Sequence, residues 1–133
     1  MRAILDSGPL IALWRKVDRH KAWVEALFKR YTGPFYVTEP VLTEIAYMTG
    51  RDREVLQGLR TGRLILAINL KDDLEALDRC LAAYEHCDLA DASVIVTSEK
   101  RPTLDVLSTD RRHFTTYRRA DRTALPLVLP PAD

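Results

Sequence analysis

The chain has 133 residues, 47% hydrophobic and 29% charged, the size and balance of one soluble globular domain with a single core. Twenty Lys and Arg against nineteen Asp and Glu leave a net charge of +1. That excludes a generic polyelectrolyte binder but leaves room for a local basic patch over an acidic site.

Residues 2–5 read as a short buried strand. It ends at Asp6, where Ser7-Gly8-Pro9 begins a turn, and 10–14 is a short apolar turn or helix. Residues 18–31 place Trp23, Val24, Leu27, Phe28 and Tyr31 at helical spacing, up to the break at Gly33-Pro34. Residues 35–37 are β-rich. Thr38 is an N-cap with Pro40 in the first turn, and Val41, Leu42, Ile45, Ala46 and Met48 carry that helix to Gly50. Residues 52–60 predict a further helix and 64–68 a third strand. Residues 71–85 form a helix bearing Leu74, Leu77, Leu81 and Tyr84. Asp88 and Asp91 open a buried helix that runs toward Glu99; 103–107 is strand-like, 111–117 partly helical and 127–129 an edge strand before a short Pro-rich tail. Strands alternating with helices make an α/β architecture with a mainly parallel sheet, in one domain spanning 1–133.

Cys80 and Cys87 are too few for a disulfide framework and lack zinc spacing. Cys80 lies on the apolar side of its helix, and a buried free thiol favours a cytosolic, cytoplasmic protein. No apolar run approaches the roughly 20 residues of a membrane span, and the N-terminus lacks the longer apolar region of a signal peptide. His20, His86 and His113 are scattered, with no pair at helical metal spacing. There is no P-loop and no dinucleotide glycine fingerprint.

In open parallel sheets, ligands sit outside the carboxyl ends of the strands. Asp6 follows the first strand, and Asp110 follows the strand at 103–107. Thr38 follows another, and the helix it caps carries Glu44 beside the stripe of Val41, Ile45 and Met48. Asp88 and Asp91, three residues apart, can face one way. Each acid has a purely structural alternative: Asp6 as a turn former, Glu44 as a solvated flank, Asp88 as an N-cap, Asp91 against the helix dipole, Asp110 as a cap. Taken together, clustered carboxylates call for a compensating cation. Oxygen ligands suit Mg²⁺ or Mn²⁺, which supports phosphodiester hydrolysis by activated water without a protein nucleophile.

The ordered segments Asp6-Ser-Gly-Pro-Leu-Ile-Ala-Leu, Thr-Glu-Pro-Val-Leu-Thr-Glu44-Ile, Asp88-Leu-Ala-Asp91-Ala-Ser and Ser108-Thr-Asp110-Arg-Arg-His-Phe resemble those of the PIN-domain ribonucleases. The likeness is greatest to the VapC-type toxins of toxin–antitoxin pairs, and it extends from Met1 to about Val128. It implies a PIN-like three-layer α/β/α fold and a Mg²⁺- or Mn²⁺-dependent endoribonuclease. Asp6 and Asp91 would be the main metal ligands, with Glu44 and Asp110 completing the catalytic quartet and positioning water. Asp88 would be a cap or an outer acid, and Ser7 and Ser108 hydroxyls near the metal or phosphate. A homodimer and a cognate antitoxin are implied as well. Two departures stand out. The segment before Asp91 is shorter than is usual, and His113 stands where the family's fourth motif often has another acid.

Arg111, Arg112, Arg118, Arg119 and Arg122 cluster after Asp110, and Lys16, Arg19 and Lys21 follow the first motif. They form either a solvated basic surface or a set of RNA-phosphate contacts. Trp14 and Tyr117 are candidates for base stacking, whereas Trp23 has core spacing. Two rival functions remain: a PIN-like module that binds RNA or protein without cutting, and a receiver-type phosphoacceptor domain. The receiver would want an acidic pair after the first strand and a late Lys, where this chain has Asp6-Ser7 and Asp110.

Overall fold

The computed structural model describes residues 1–132. In chain order the elements are β1 (Ala3–Leu5), α1 (Ser7–Trp14), α2 (Lys21–Arg30), β2 (Phe35–Val37), α3 (Glu39–Thr49), α4 (Asp52–Thr61), β3 (Leu64–Leu66), a 3₁₀ turn (Leu70–Asp73), α5 (Leu74–Ala83), α6 (Leu89–Lys100), β4 (Val106–Leu107), α7 (Arg111–Phe114) and β5 (Leu127–Val128).

Ala3, Ile4 and Leu5 are buried on both faces, as a short unbroken apolar run in the middle of a parallel sheet must be. The five strands lie in the order β3-β2-β1-β4-β5, and every pair is parallel. Ile4 is level with Tyr36 on one side and Val106 on the other, and Leu5 with Leu107. With the right-handed crossovers that parallel strands favour, this order takes β1 to β2 and β2 to β3 over one face and β3 to β4 over the opposite face. The packing agrees: α1 lies on α2 and α3, α3 on α4, and α5 on α6. The result is a three-layer α/β/α arrangement. Fully buried Ile4, Leu5, Val37, Ile45, Ile95 and Leu107 sit at its centre, each worth roughly 1.5–3 kcal/mol against exposure.

Local chemistry sets the helix limits. Thr38, with extended backbone, accepts a hydrogen bond from Val41 N–H at 3.5 Å and starts α3, with Pro40 in the first turn; Gly50 at φ 70° ends it. Helix α6 is buried all round, from Ala92 to Ser98, because it lies against β1 and is roofed by α5. Its polar residues are satisfied locally, Thr97 Oγ1 donating to Ser93 O at 2.8 Å.

Several elements differ from the sequence expectation. The helix expected over 71–85 begins as the 3₁₀ turn, because the Asn69 side chain takes the Lys71 N–H at 3.0 Å. That expected over 18–31 starts only at Lys21, after Asp18 Oδ1 accepts from His20 N–H. The strand expected over 103–107 is Val106–Leu107, since Leu104 N–H bonds back to Arg101 O in a turn. Met48 does not join the buried stripe of α3, which is Val41, Leu42 and Ile45; it is 41% exposed. Both cysteines are free and buried. Among the described residues, no helix is long and apolar enough to cross a membrane.

Candidate active site

Strands β1 and β4 are neighbours in register, and each delivers a polar residue one position beyond its end: Asp6 and Ser108. This is where the strand order reverses, the usual ligand edge of an open parallel sheet. Ser108 is fully buried, and its single hydroxyl does two things. It donates to Asp6 Oδ2 at 2.7 Å and accepts from Asp110 N–H at 3.0 Å, locking the two acid-bearing loops together. Gly8 makes the approach sterically feasible: a Cβ there would lie 2.0 Å from Thr109 Oγ1. The Asp-Ser-Gly run thus places an acid at the strand end and leaves space for the loop after β4.

Ser7 is buried, and its hydroxyl donates to Glu44 Oε1, tying α1 to the exposed acid on α3. Beside them Thr38 Oγ1 and Ser93 Oγ lie 2.7 Å apart, joining α3 to α6. Asp88 is the N-cap of α6: its Oδ1 accepts from Asp91 N–H at 2.8 Å, and the side chain is exposed. Asp91 lies one turn inside, where the buried hydroxyl of Tyr117 donates to its Oδ2 at 2.6 Å. The Tyr117 ring stacks edge-on with Tyr84 and Phe114, both with centroids 5.0 Å away. Asp110 caps α7 through His113 N–H at 3.0 Å and meets His113 Nδ1 at 3.1 Å.

These acids feel one another. Burial pushes Asp6 up to about 6; the hydrogen bonds from Ser108 and Ser7 N–H pull it down, while Glu44 and Asp110 push it further up. Burial likewise raises Asp91 to about 7, opposed by Tyr117 and reinforced by Asp88, Asp6 and Asp110. Tyr117 is raised as well, by burial first and then by its bond to Asp91. Asp6, Glu44, Asp91 and Asp110 therefore border one region, with Asp6 buried, Asp91 and Asp110 half-buried and Glu44 exposed, and Asp88 stands at its margin.

No family model matches the chain, and no curated protein does either.

Among the described residues, no three His, Cys, Asp or Glu side chains close into a ready-made metal cage. Magnesium needs none, since it keeps several waters and takes one or two direct carboxylates. Asp6 and Asp91 fit that requirement. Both are oxygen donors with one oxygen held by a hydroxyl, and both are destabilised as anions by burial and by neighbouring carboxylates. Among the described residues, no serine has the His and acid partners of an acyl-transfer triad.

The structure sorts the remaining candidates. Ser108 is a buried brace rather than a free hydroxyl at the rim. Tyr117 is buried beneath Asp91 and does not offer a stacking face. Arg118 turns its Nη1 onto Thr115 O and Tyr117 O, and Arg119 reaches Pro102 O, so these two serve their own loop. Lys21 Nζ closes the turn between α1 and α2 through Leu13 O and Arg15 O. Arg111 and Arg112 stay exposed beside Asp110. Trp14 lines an apolar groove of about 390 Å³ with Leu10, Phe28, Phe35 and Leu64, which holds none of the four acids. Sequence reasoning missed the support of Asp91 by Tyr117, the Thr38–Ser93 bond and the stacking of His86 on His113 at 5.4 Å. All are long-range pairings with no local signature.

Proposed function

We propose that this chain is a metal-dependent endoribonuclease that hydrolyses RNA phosphodiester bonds. The observation that carries the reading is the pair Asp6 and Asp91. Asp6 is buried and Asp91 half-buried at the ligand edge of the sheet, each braced by a hydroxyl and joined by Glu44 and Asp110. Asp6 and Asp91 would hold Mg²⁺ or Mn²⁺. When bound, such an ion screens the phosphate charge and activates water for in-line attack. Glu44, fixed by Ser7, and Asp110, fixed by Ser108 and His113, would accept protons from and orient the attacking water. The hydroxyls of Ser7, Ser108 and Tyr117 keep the acids in place before substrate arrives, so little reorganisation remains for the chemical step.

The ordered motifs around these acids resemble those of VapC-type toxins, and that resemblance supports a toxin role with a cognate antitoxin, a dimeric state and a cytoplasmic setting. That part rests on the motif resemblance alone.

The test is incubation of the purified chain, freed of any co-purifying partner, with structured and unstructured RNA under Mg²⁺, Mn²⁺ or EDTA, with Asp6→Asn in parallel. Cleavage that needs metal and disappears in Asp6→Asn is expected. Absence of both cleavage and metal binding would replace the reading with a non-catalytic binding module.

A further inference from the structure

The two departures from the motif pattern meet in space. His86 belongs to the short segment before Asp91, and His113 stands where an acid is often found. Their ring centroids are 5.4 Å apart, with the planes tilted by 41°. His113 Nδ1 lies 3.1 Å from Asp110 Oδ2, which fixes that ring beside one of the four acids of the site. His113 is half-buried and His86 exposed, so His86 offers the ring that solvent reaches. The segment that carries it is anchored at both ends. Tyr84 ends α5 with its ring against Tyr117, and its hydroxyl accepts from Arg118 N–H at 2.9 Å. Cys87 is buried, its N–H returns to Tyr84 O at 3.2 Å, and Asp88 then caps α6. His86 is thus displayed from a braced turn, while it fills no part of the core and caps neither helix.

We propose that the His86–His113 pair is a stacking step for one unpaired nucleobase of the RNA, the base flanking the cut. The inference rests on the ribonuclease reading, because the pair is tied to the acid rim through Asp110. Its surroundings favour a base over other ligands. Glu85 and Asp88, both exposed, stand beside His86 along the chain and would repel a phosphate, whereas an uncharged base meets no such penalty. Among the described residues, no third His, Cys, Asp or Glu joins the two imidazoles in a metal cage. The other rings considered for stacking are occupied elsewhere: Tyr117 is buried beneath Asp91, and Trp14 lines the apolar groove. A base can lie on an aromatic ring only when it is unpaired and unstacked, so the substrate class is a single-stranded segment or a loop. Every base has a π-face, so the contact sets position and leaves sequence unread.

The experiment is a double-mutant cycle between ring and base. Single-stranded oligoribonucleotides, each with one abasic position moved along the strand, are bound in EDTA to prevent cleavage and are then cut with Mn²⁺ to obtain KM and kcat. Wild type is compared with His86→Ala and His86→Phe, and melting curves check that these changes at an exposed position leave the fold intact. For wild type, one abasic position should weaken binding and raise KM by roughly five- to tenfold, the lower part of the range for base–aromatic stacking, since imidazole is a small ring. His86→Ala should show the same loss with intact RNA and no further loss at that abasic position, with kcat little changed. His86→Phe should restore the sensitivity, which a merely structural role would not do. Abasic positions that never matter in either readout, or a His86→Phe variant as weak as His86→Ala, would each overturn the proposal. If metal-dependent cleavage persists while affinity and KM ignore His86, the stacking step is wrong and the nuclease stands. If ring and base are coupled in EDTA but the RNA is never cut with Mg²⁺ or Mn²⁺, the stacking step stands and the nuclease falls.

Discussion

Asp91 and Glu99 lie on the same helix, about two turns apart, and their carboxylates are treated in opposite ways. Glu99 is enclosed by cationic and amide donors: Arg79 Nη2 reaches its two oxygens at 2.5 and 2.6 Å, and Ala120 N–H reaches Oε2 at 2.5 Å. Nearby, Lys100 Nζ meets Asp73 at 2.9 Å. Asp91 receives only the hydroxyl of Tyr117, and its partner across the site, Asp6, receives that of Ser108. Among the described residues, no Lys or Arg forms an ion pair with Asp6, Glu44 or Asp91. One end of α6 uses carboxylates to hold the fold together. The other end sets half-buried Asp91 near buried Asp6, and no side-chain cation offsets either charge, an arrangement that disfavours the metal-free anion and favours a cation from solution.

Removing the uncompensated charge tests that contrast most severely. Asp6→Asn and Asp91→Asn should each lower metal-dependent RNA cleavage by on the order of a thousandfold. Both should also flatten the pH response of the metal-free fold. With Asp6 at about 6 and Asp91 at about 7, above the unfolded value of about 3.9, the folded chain binds extra protons. Stability in EDTA is therefore fully present below about pH 4 and is lost as pH rises through 6 to 7. Melting curves across that range would expose the opposite outcome, a wild-type chain as stable in EDTA at pH 8 as at pH 5. Cleavage with metal should rise through the same window as the two acids ionise.

Tyr117→Phe alters the uncompensated end more gently. The ring keeps its packing on Tyr84 and Phe114, and only the hydroxyl on Asp91 Oδ2 is lost. Affinity for Mn²⁺ alone, read by titration calorimetry, should fall about 10–100-fold, the usual effect of removing a group that orients a metal ligand. The stability loss should stay near the ~1 kcal/mol of one hydrogen bond. A large drop in melting temperature with Mn²⁺ affinity intact would reduce Tyr117 to a packing residue.

The two ends of α6 were not equally legible in the sequence. Asp6, Asp91 and Asp110 announce themselves because each follows or opens a regular element, and their edge of the sheet follows from strand–helix alternation. The Thr38 and Asp88 caps and the burial of α6 are local patterns of the same kind. What holds the acids in place is not local. Ser108 lies 102 residues from Asp6, and Tyr117 lies 26 from Asp91. Tyr117 reads as an aromatic in a basic stretch until the fold brings it under α6. The shortened β4 and the 3₁₀ start before α5 were hidden for a different reason: side-chain and turn hydrogen bonds of Asn69 and Leu104 outweigh the apolar pattern there.

Gly8→Ala probes the packing behind the uncompensated end. The added methyl meets Thr109 Oγ1 at 2.0 Å and its Cβ at 3.0 Å, so the loop carrying Asp110 must move. A loss of about 1–3 kcal/mol is expected from overpacking, with reduced cleavage. Adding Thr109→Ala should return most of both. If the double variant is no better than Gly8→Ala in denaturant unfolding, the clash is not what makes glycine necessary.

Glu99→Gln is the smallest and most discriminating change. It removes the charge that Arg79 neutralises while leaving an oxygen for Ala120 N–H, and the Arg79 side chain is 45% exposed. The pair is therefore worth at most about 1 kcal/mol, and the difference in urea midpoint should shrink further in high salt. Cleavage and Mn²⁺ affinity should not move. Both Glu99→Gln and Asp91→Asn delete one carboxylate from α6. Only the first should weaken the metal-free fold at neutral pH, because its charge has a partner. Only the second should abolish activity, because its charge has none. A Glu99→Gln variant that lost Mn²⁺ affinity along with stability would mean that the two ends of the helix are coupled, and that the ion pair on α5 helps to hold Asp91 in place.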